Sequence, residues 1–131
     1  AQIMYYYKHP ERAQGGKIVY DTGNSKIGSN GYITEDFSTD EHIYAWDLMR
    51  DDVSMMNGTA NIASCNAVAQ LSYDCGVATK MSYNTGGSGT TESEALYAFH
   101  KYFDYSVHTN MIFREMFANQ ADWNALIKKE L

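Results

Sequence analysis

An α+β fold is what this sequence predicts, on three observations. Apolar side chains recur at helical spacing between residues 62 and 75 and again between 95 and 103. Residues 11–42 instead set β-branched and aromatic residues between turn-forming dipeptides. Thr91-Glu92-Ser93-Glu94 has the form of a capping box, the device that starts a helix. With 131 residues, the chain has the length of one compact unit and not of two ordinary ones.

Composition narrows the function classes. Apolar residues make up 44% and charged residues 20%, the balance of a globular chain and not of a disordered one. Sixteen acidic against ten basic residues give a net charge of -6, and the basic ones are scattered, so nucleic acid is excluded as an expected partner. No apolar run reaches the length of a membrane span, so no membrane partner is expected either. Two cysteines, Cys65 and Cys75, are too few for a disulfide framework. Eleven Tyr and two Trp supply amphipathic rings suited to interfaces and clefts, and equally to half-buried packing.

In chain order, Ile3, Met4 and Tyr7 fall at helical spacing with no capping residue before them, as in a helix entered midway. Pro10 ends that helix by disfavouring helical geometry at His9. Ile18-Val19-Tyr20, Ile27 and Tyr32-Ile33 then read as short strands or an extended loop, parted by Gly23-Asn24 and Asn30-Gly31, which adopt positive φ readily. Tyr44, Trp46, Leu48 and Met49 form an apolar cluster expected in the core, followed by an acidic patch at Asp51-Asp52 and a turn at Asn57-Gly58. From Asn61, a buried helix is predicted with Ile62, Cys65, Val68, Ala69, Leu71 and Cys75 on its inner face and Gly76 as its left-handed cap. A flexible loop spans residues 84–90. The capping box then opens a helix burying Ala95, Phe99, Tyr102 and Phe103. After a turn over residues 104–110 come Ile112, Phe113 and Phe117, and a last amphipathic helix carries Asp122, Trp123, Leu126, Ile127 and Leu131 without a closing cap.

Three stretches together carry a resemblance. Ala1-Gln2-Ile3-Met4 with Pro10 is similar to the segment behind the nucleophile of streptopain-like (streptococcal exotoxin B-type) cysteine peptidases, whose motif runs Gly-Cys-Val-Ala-Thr-Ala-x-Ala-Gln-Ile-Met. Asp74-Cys75-Gly76-Val77, Met81-Ser82-Tyr83 and the run Gly87-Ser88-Gly89 resemble that family's Asp-x-Gly-Val, Met-x-Tyr and Gly/Ser-rich elements in order. Residues 98–105, Ser106-Val107-His108, Asp122-Trp123 and Lys129-Glu130-Leu131 complete a collinear match, weak only over residues 11–60 beyond Tyr44-x-Trp46.

The resemblance implies a papain-like architecture, with this chain as residues 1–131 of one peptidase domain, mainly its helical half and incomplete at both ends. It implies a secreted bacterial zymogen, extracellular or periplasmic, of the kind that serves as a virulence factor. Such an enzyme hydrolyses peptide bonds through a Cys-His acyl-thioester. Its partners would be protein or peptide substrates, its own propeptide or a protein inhibitor, and it needs no cofactor. The family's nucleophile lies before the match to Ala1 and its catalytic histidine after the match to Leu131, so no catalytic residue is assigned here and the segment alone is expected to be inactive.

The residues themselves agree with that assignment. A thiol nucleophile needs a helix N-terminus and a histidine partner, whereas Cys65 is read on an apolar helix face and Cys75 near a helix C-terminus, both as buried structural residues. His9, His42, His100 and His108 are dispersed, with no metal-ligand spacing among them, and His100 is expected on an exposed flank. Carboxylates are expected to be solvated. The expected substrate-binding residues are Gly87, Ser88 and Gly89, whose exposed backbone suits an extended peptide, with Tyr83 and Thr90 as supporting walls. The corresponding loop of the family borders the cleft. The other reading is a non-catalytic, aromatic-rich module binding peptide, glycan or protein. The sequon Asn57-Gly58-Thr59 is a pattern common by chance and carries no weight.

Overall fold

The computed structural model describes residues 1–50 and 62–130. The Asp51-Asp52 patch, the Asn57-Gly58 turn with its sequon, Asn61 and Leu131 lie outside the described residues. The elements run α1 (Gln2–Tyr7), β1 (Lys17–Asp21), β2 (Tyr32–Asp36), 3-10 turns at Asp40–His42 and Trp46–Leu48, α2 (Ile62–Ala78), β3 (Ser82–Asn84), β4 (Gly87–Gly89), α3 (Glu92–Tyr102), a 3-10 turn at Arg114–Met116 and α4 (Gln120–Glu130). Helices are joined by two antiparallel strand pairs, β1-β2 and β3-β4, so the α+β class holds.

In β1-β2, Val19 faces Thr34 and Tyr20 faces Ile33. Period-two alternation buries Ile18, Tyr20 and Ile33 and leaves Val19 and Tyr32 outside. Both turn dipeptides fall in one long connection, where Asn30 and Gly31 have φ of 54° and 94°. Ile27 belongs to that connection and not to a strand.

α1 sends only Met4 into the core; Ile3 and Tyr7 are exposed, contrary to the face read from spacing. The helix also ends earlier than Pro10 requires. Lys8 turns left-handed (φ 48°), and the His9 N–H bonds the Met4 carbonyl. Tyr44 and Met49 are buried with Trp46 packed alongside, but Leu48 is exposed.

α2 is rotated from expectation. Its buried positions are Ser64, Ala67, Leu71, Asp74, Gly76, Val77 and Ala78, while Ile62 and Ala69 face solvent. Val68 and Cys75 pack on the flank. Small residues on the inner face let the helix backbone approach its neighbours, and a buried carboxylate takes an inner position usually read as apolar. Gly76 is no cap either, since the helix runs on to Ala78. Lys80 (φ 49°) makes the left-handed turn and the Met81 N–H bonds the Gly76 carbonyl.

α3 starts at Thr91, whose Oγ1 accepts the Glu94 N–H at 3.2 Å. The other half of the box is replaced by an ion pair, because the Glu94 carboxylate turns to Lys80 Nζ at 3.2 Å. Ala98, Tyr102 and Phe103 are buried, with Phe99 packed against them. His100 is half-buried and not on an exposed flank, and its Nε2 meets the Thr109 carbonyl at 3.1 Å. α4 has its own reciprocal cap: Asn119 accepts the Asp122 N–H at 3.0 Å and donates to the Asp122 carboxylate at 2.9 Å. Trp123 and Leu126 are half-buried, whereas Ile127 is exposed.

Candidate functional site

The loop expected over residues 84–90 is instead a hairpin. Ser82 pairs with Gly89, Tyr83 with Ser88 and Asn84 with Gly87, around a turn at Thr85-Gly86. The Tyr83 N–H donates to the Thr22 carbonyl at 2.9 Å, on the side of β3 away from β4. Antiparallel strands alternate bonded and non-bonded pairs, so Tyr83-Ser88 is the non-bonded pair. The N–H and C=O of Ser88 therefore project from the outer edge of β4, which pairs with no other strand among the described residues.

That edge is open. A Cβ built on Gly86, Gly87 or Gly89 meets nothing within 4 Å. Only Gly87, with φ of 147°, needs glycine for its own backbone. At Gly89 no internal packing calls for one, and the missing side chain leaves room for another backbone to approach. Ser88 and Thr90 are exposed, and the Thr90 hydroxyl donates to the Thr79 carbonyl, tying the hairpin to the end of α2.

Tyr83 is placed differently from the other four. It is half-buried, with its ring against the core and its hydroxyl over Gly76. The Tyr20 hydroxyl is buried beside it; burial first and Tyr83 second push its pKa up to about 12. Tyr83 thus anchors the hairpin, while Gly87, Ser88, Gly89 and Thr90 line its exposed side.

A buried polar cluster escaped the sequence reading. Asp74, fully buried on α2, accepts three bonds: from His42 Nδ1 at 3.0 Å, the Tyr44 hydroxyl at 2.9 Å and Gln70 Nε2 at 2.8 Å. Burial drives its pKa above the usual carboxylate range, and the His42, Tyr44 and Gln70 donors pull it partly back. His42 Nε2 faces Glu35 Oε1 at 3.5 Å, and Glu35 Oε2 accepts the Tyr73 hydroxyl at 2.8 Å. Two carboxylates therefore converge on one histidine, where solvated charge was expected. The only sequence sign was the motif Asp74-x-Gly76-Val77, on a helix face that otherwise reads as apolar.

Neither thiol is deeply buried as expected. Cys65 and Cys75 are free and half-buried, and burial raises the Cys75 pKa. Cys75 Sγ contacts Met4 Sδ at 3.6 Å. Among the described residues no histidine bonds to either sulfur: His9 and His100 meet carbonyl oxygens, His42 meets Asp74, and the exposed His108 bonds through its backbone to Ser106. The dyad chemistry of a thiol peptidase is thus not assembled among the described residues.

Known proteins match this chain along nearly its whole length. The family model described as Peptidase C10 family matches residues 1–131. The thiol protease/hemagglutinin PrtT of Porphyromonas gingivalis is 26% identical over 130 residues, covering 99% of this chain and 14% of that protein. The structure of active wild-type interpain A cysteine protease from Prevotella intermedia superposes with a TM-score of 0.72 at 28% identity, covering 96% of this chain and 48% of that one. A prointerpain A fragment from the same organism gives 0.77 at 27% identity, covering 98% and 39%. The chain spans less than half the length of each of these relatives. With a match over its whole length and the same fold in two solved relatives, the chain belongs to the Peptidase C10 family.

Proposed function

We propose that this chain is the scaffold and one cleft wall of a streptopain-like cysteine endopeptidase, and that β4 receives the substrate. The observation that carries the reading is the free outer edge of β4, where Ser88 presents an N–H and a C=O between Gly87 and Gly89. An extended peptide lying along that edge gains main-chain hydrogen bonds without regard to its sequence, as in strand addition. Thr90 borders the same face, and Tyr83 holds it in position. In the complete enzyme a cysteine thiolate attacks the scissile carbonyl, a histidine carries the proton to the leaving amine, and water releases the acyl-thioester. Both groups are expected from sequence flanking these residues.

Substrates in this reading are proteins or peptides. The pro-form among the similar structures supports a zymogen whose propeptide covers the cleft before maturation. The setting is extracellular or periplasmic, as for a secreted enzyme.

The test is labelling with a papain-type epoxide under reducing conditions, read by intact mass, on residues 1–131 and on a chain extended through both catalytic motifs. Labelling of the extended chain alone is the expected result. Stoichiometric labelling of the short chain at Cys65 or Cys75 would misplace the nucleophile, and no labelling of either would favour a non-catalytic binding module.

A further inference from the structure

We propose that His42 is a proton-operated clasp between β2 and α2, closed when its ring carries both hydrogens and bridges Asp74 and Glu35. Tautomer chemistry leads there. Asp74 Oδ1 receives Gln70 Nε2–H and Oδ2 receives the Tyr44 hydroxyl, so the carboxylate acts as an acceptor and His42 Nδ1 carries a hydrogen toward it. In a neutral ring, Nε2 is then an acceptor. It is buried, has no hydrogen-bond partner, and faces another acceptor, Glu35 Oε1, at 3.5 Å. One proton on Nε2 turns that opposition into a charge-assisted bond.

The charged groups around the ring are mainly carboxylates. β2 contributes Glu35 and Asp36, and α2 contributes Asp74. The histidine's own turn adds Asp40 and Glu41, with Arg12 already engaged by Asp40 at 2.9 Å and Lys17 acting on Asp36. The Phe37 ring meets the imidazole edge-on at 4.8 Å and the Tyr73 hydroxyl holds the far oxygen of Glu35. The His42 side chain is 2% exposed and that of Glu35 21%, so when the ring is neutral Glu35 is the partner able to turn to solvent. The clasp then opens on the β2 side while Asp74 keeps its hold. This device is a property of the fold and is independent of the peptidase reading.

Glu35→Gln separates the clasp from plain packing, because a glutamine amide donates to the neutral Nε2 and satisfies it without a proton. Between about pH 5.5 and about pH 8, the folding equilibrium constant of the 131-residue chain is expected to fall about tenfold more than that of Glu35→Gln. Side-chain 15N spectra of the unaltered chain are expected to show both His42 nitrogens protonated at the lower pH and only Nδ1 at the higher. An identical pH dependence in Glu35→Gln, or a His42 ring whose protonation does not change across that range, overturns the proposal. The spectrum is read on the natural sequence, so it decides even if the variant fails to fold.

Discussion

The Tyr83 hydroxyl occupies the space where a side chain at position 76 would begin: a Cβ on Gly76 would lie 2.5 Å from its oxygen and 3.8 Å from the ring carbon that bears it. Glycine stands inside the last turn of α2, where it is disfavoured by backbone entropy, because the hairpin's anchor lies against it.

This contact makes position 76 conditional. Gly76→Ala alone is expected to destabilise the chain by about 1–3 kcal/mol through overpacking. Combined with Tyr83→Phe, which removes the clashing oxygen, the same alanine should stabilise by about 1 kcal/mol through helix propensity. Urea unfolding of the two single variants and the double variant reads the coupling, and additive effects would argue against the contact.

Tyr44→Phe tests the Asp74 cluster and its pH dependence. Burial already raises the Asp74 pKa, so the folded state holds that proton more tightly than the unfolded chain. This contribution to stability is present at acid pH and lost as pH rises through the raised value. Removing the Tyr44 donor raises the pKa further. The variant should lose about 1.5–3 kcal/mol at neutral pH, and the loss should shrink as pH falls through the Asp74 titration. Unfolding curves at a series of pH values check both the size and the direction.

Tyr20 supplies an alkaline counterpart. Its folded pKa of about 12 exceeds the ordinary tyrosine value of about 10, so its phenol contributes stability below the unfolded value that is lost as pH climbs toward 12. Tyr20→Phe should lack this component of alkaline destabilisation. Comparing unfolding of the two chains across that window, with tyrosinate absorbance as the parallel readout, tests it.

The substrate edge is tested with Ser88→Pro in the complete enzyme. Proline removes the N–H at an edge where strands tolerate it. Peptide turnover is expected to drop about tenfold, the worth of one or two hydrogen bonds, while alkylation of the catalytic thiol by iodoacetamide stays unchanged. Full turnover in the variant would move the substrate away from β4.

What could be read in advance was local. The Thr91 cap follows from hydroxyl chemistry at a helix start, and extended chain around Ile18-Val19-Tyr20 and Tyr32-Ile33 follows from β-branched and aromatic residues set between turn dipeptides. The exposed run Gly87-Ser88-Gly89 was legible as a place where backbone is offered, although its hairpin form was not, because glycine and serine have weak strand preference. The inner face of α2 was misread for a different reason. Periodicity finds where apolar residues lie, whereas here Ser64, Ala67 and Asp74 face inward and Ile62 faces out.

By itself the sequence determined the α+β class, the helix start at Thr91 and, through collinear motifs, the family, since these depend on neighbouring residues or on order along the chain. Tertiary structure alone decided that His42, 32 positions from Asp74, meets it inside the core, that Glu35 closes the other side, and that Gly76 exists to admit Tyr83. Such pairings join residues from separate elements, and a buried polar group acquires its partners only when those elements pack.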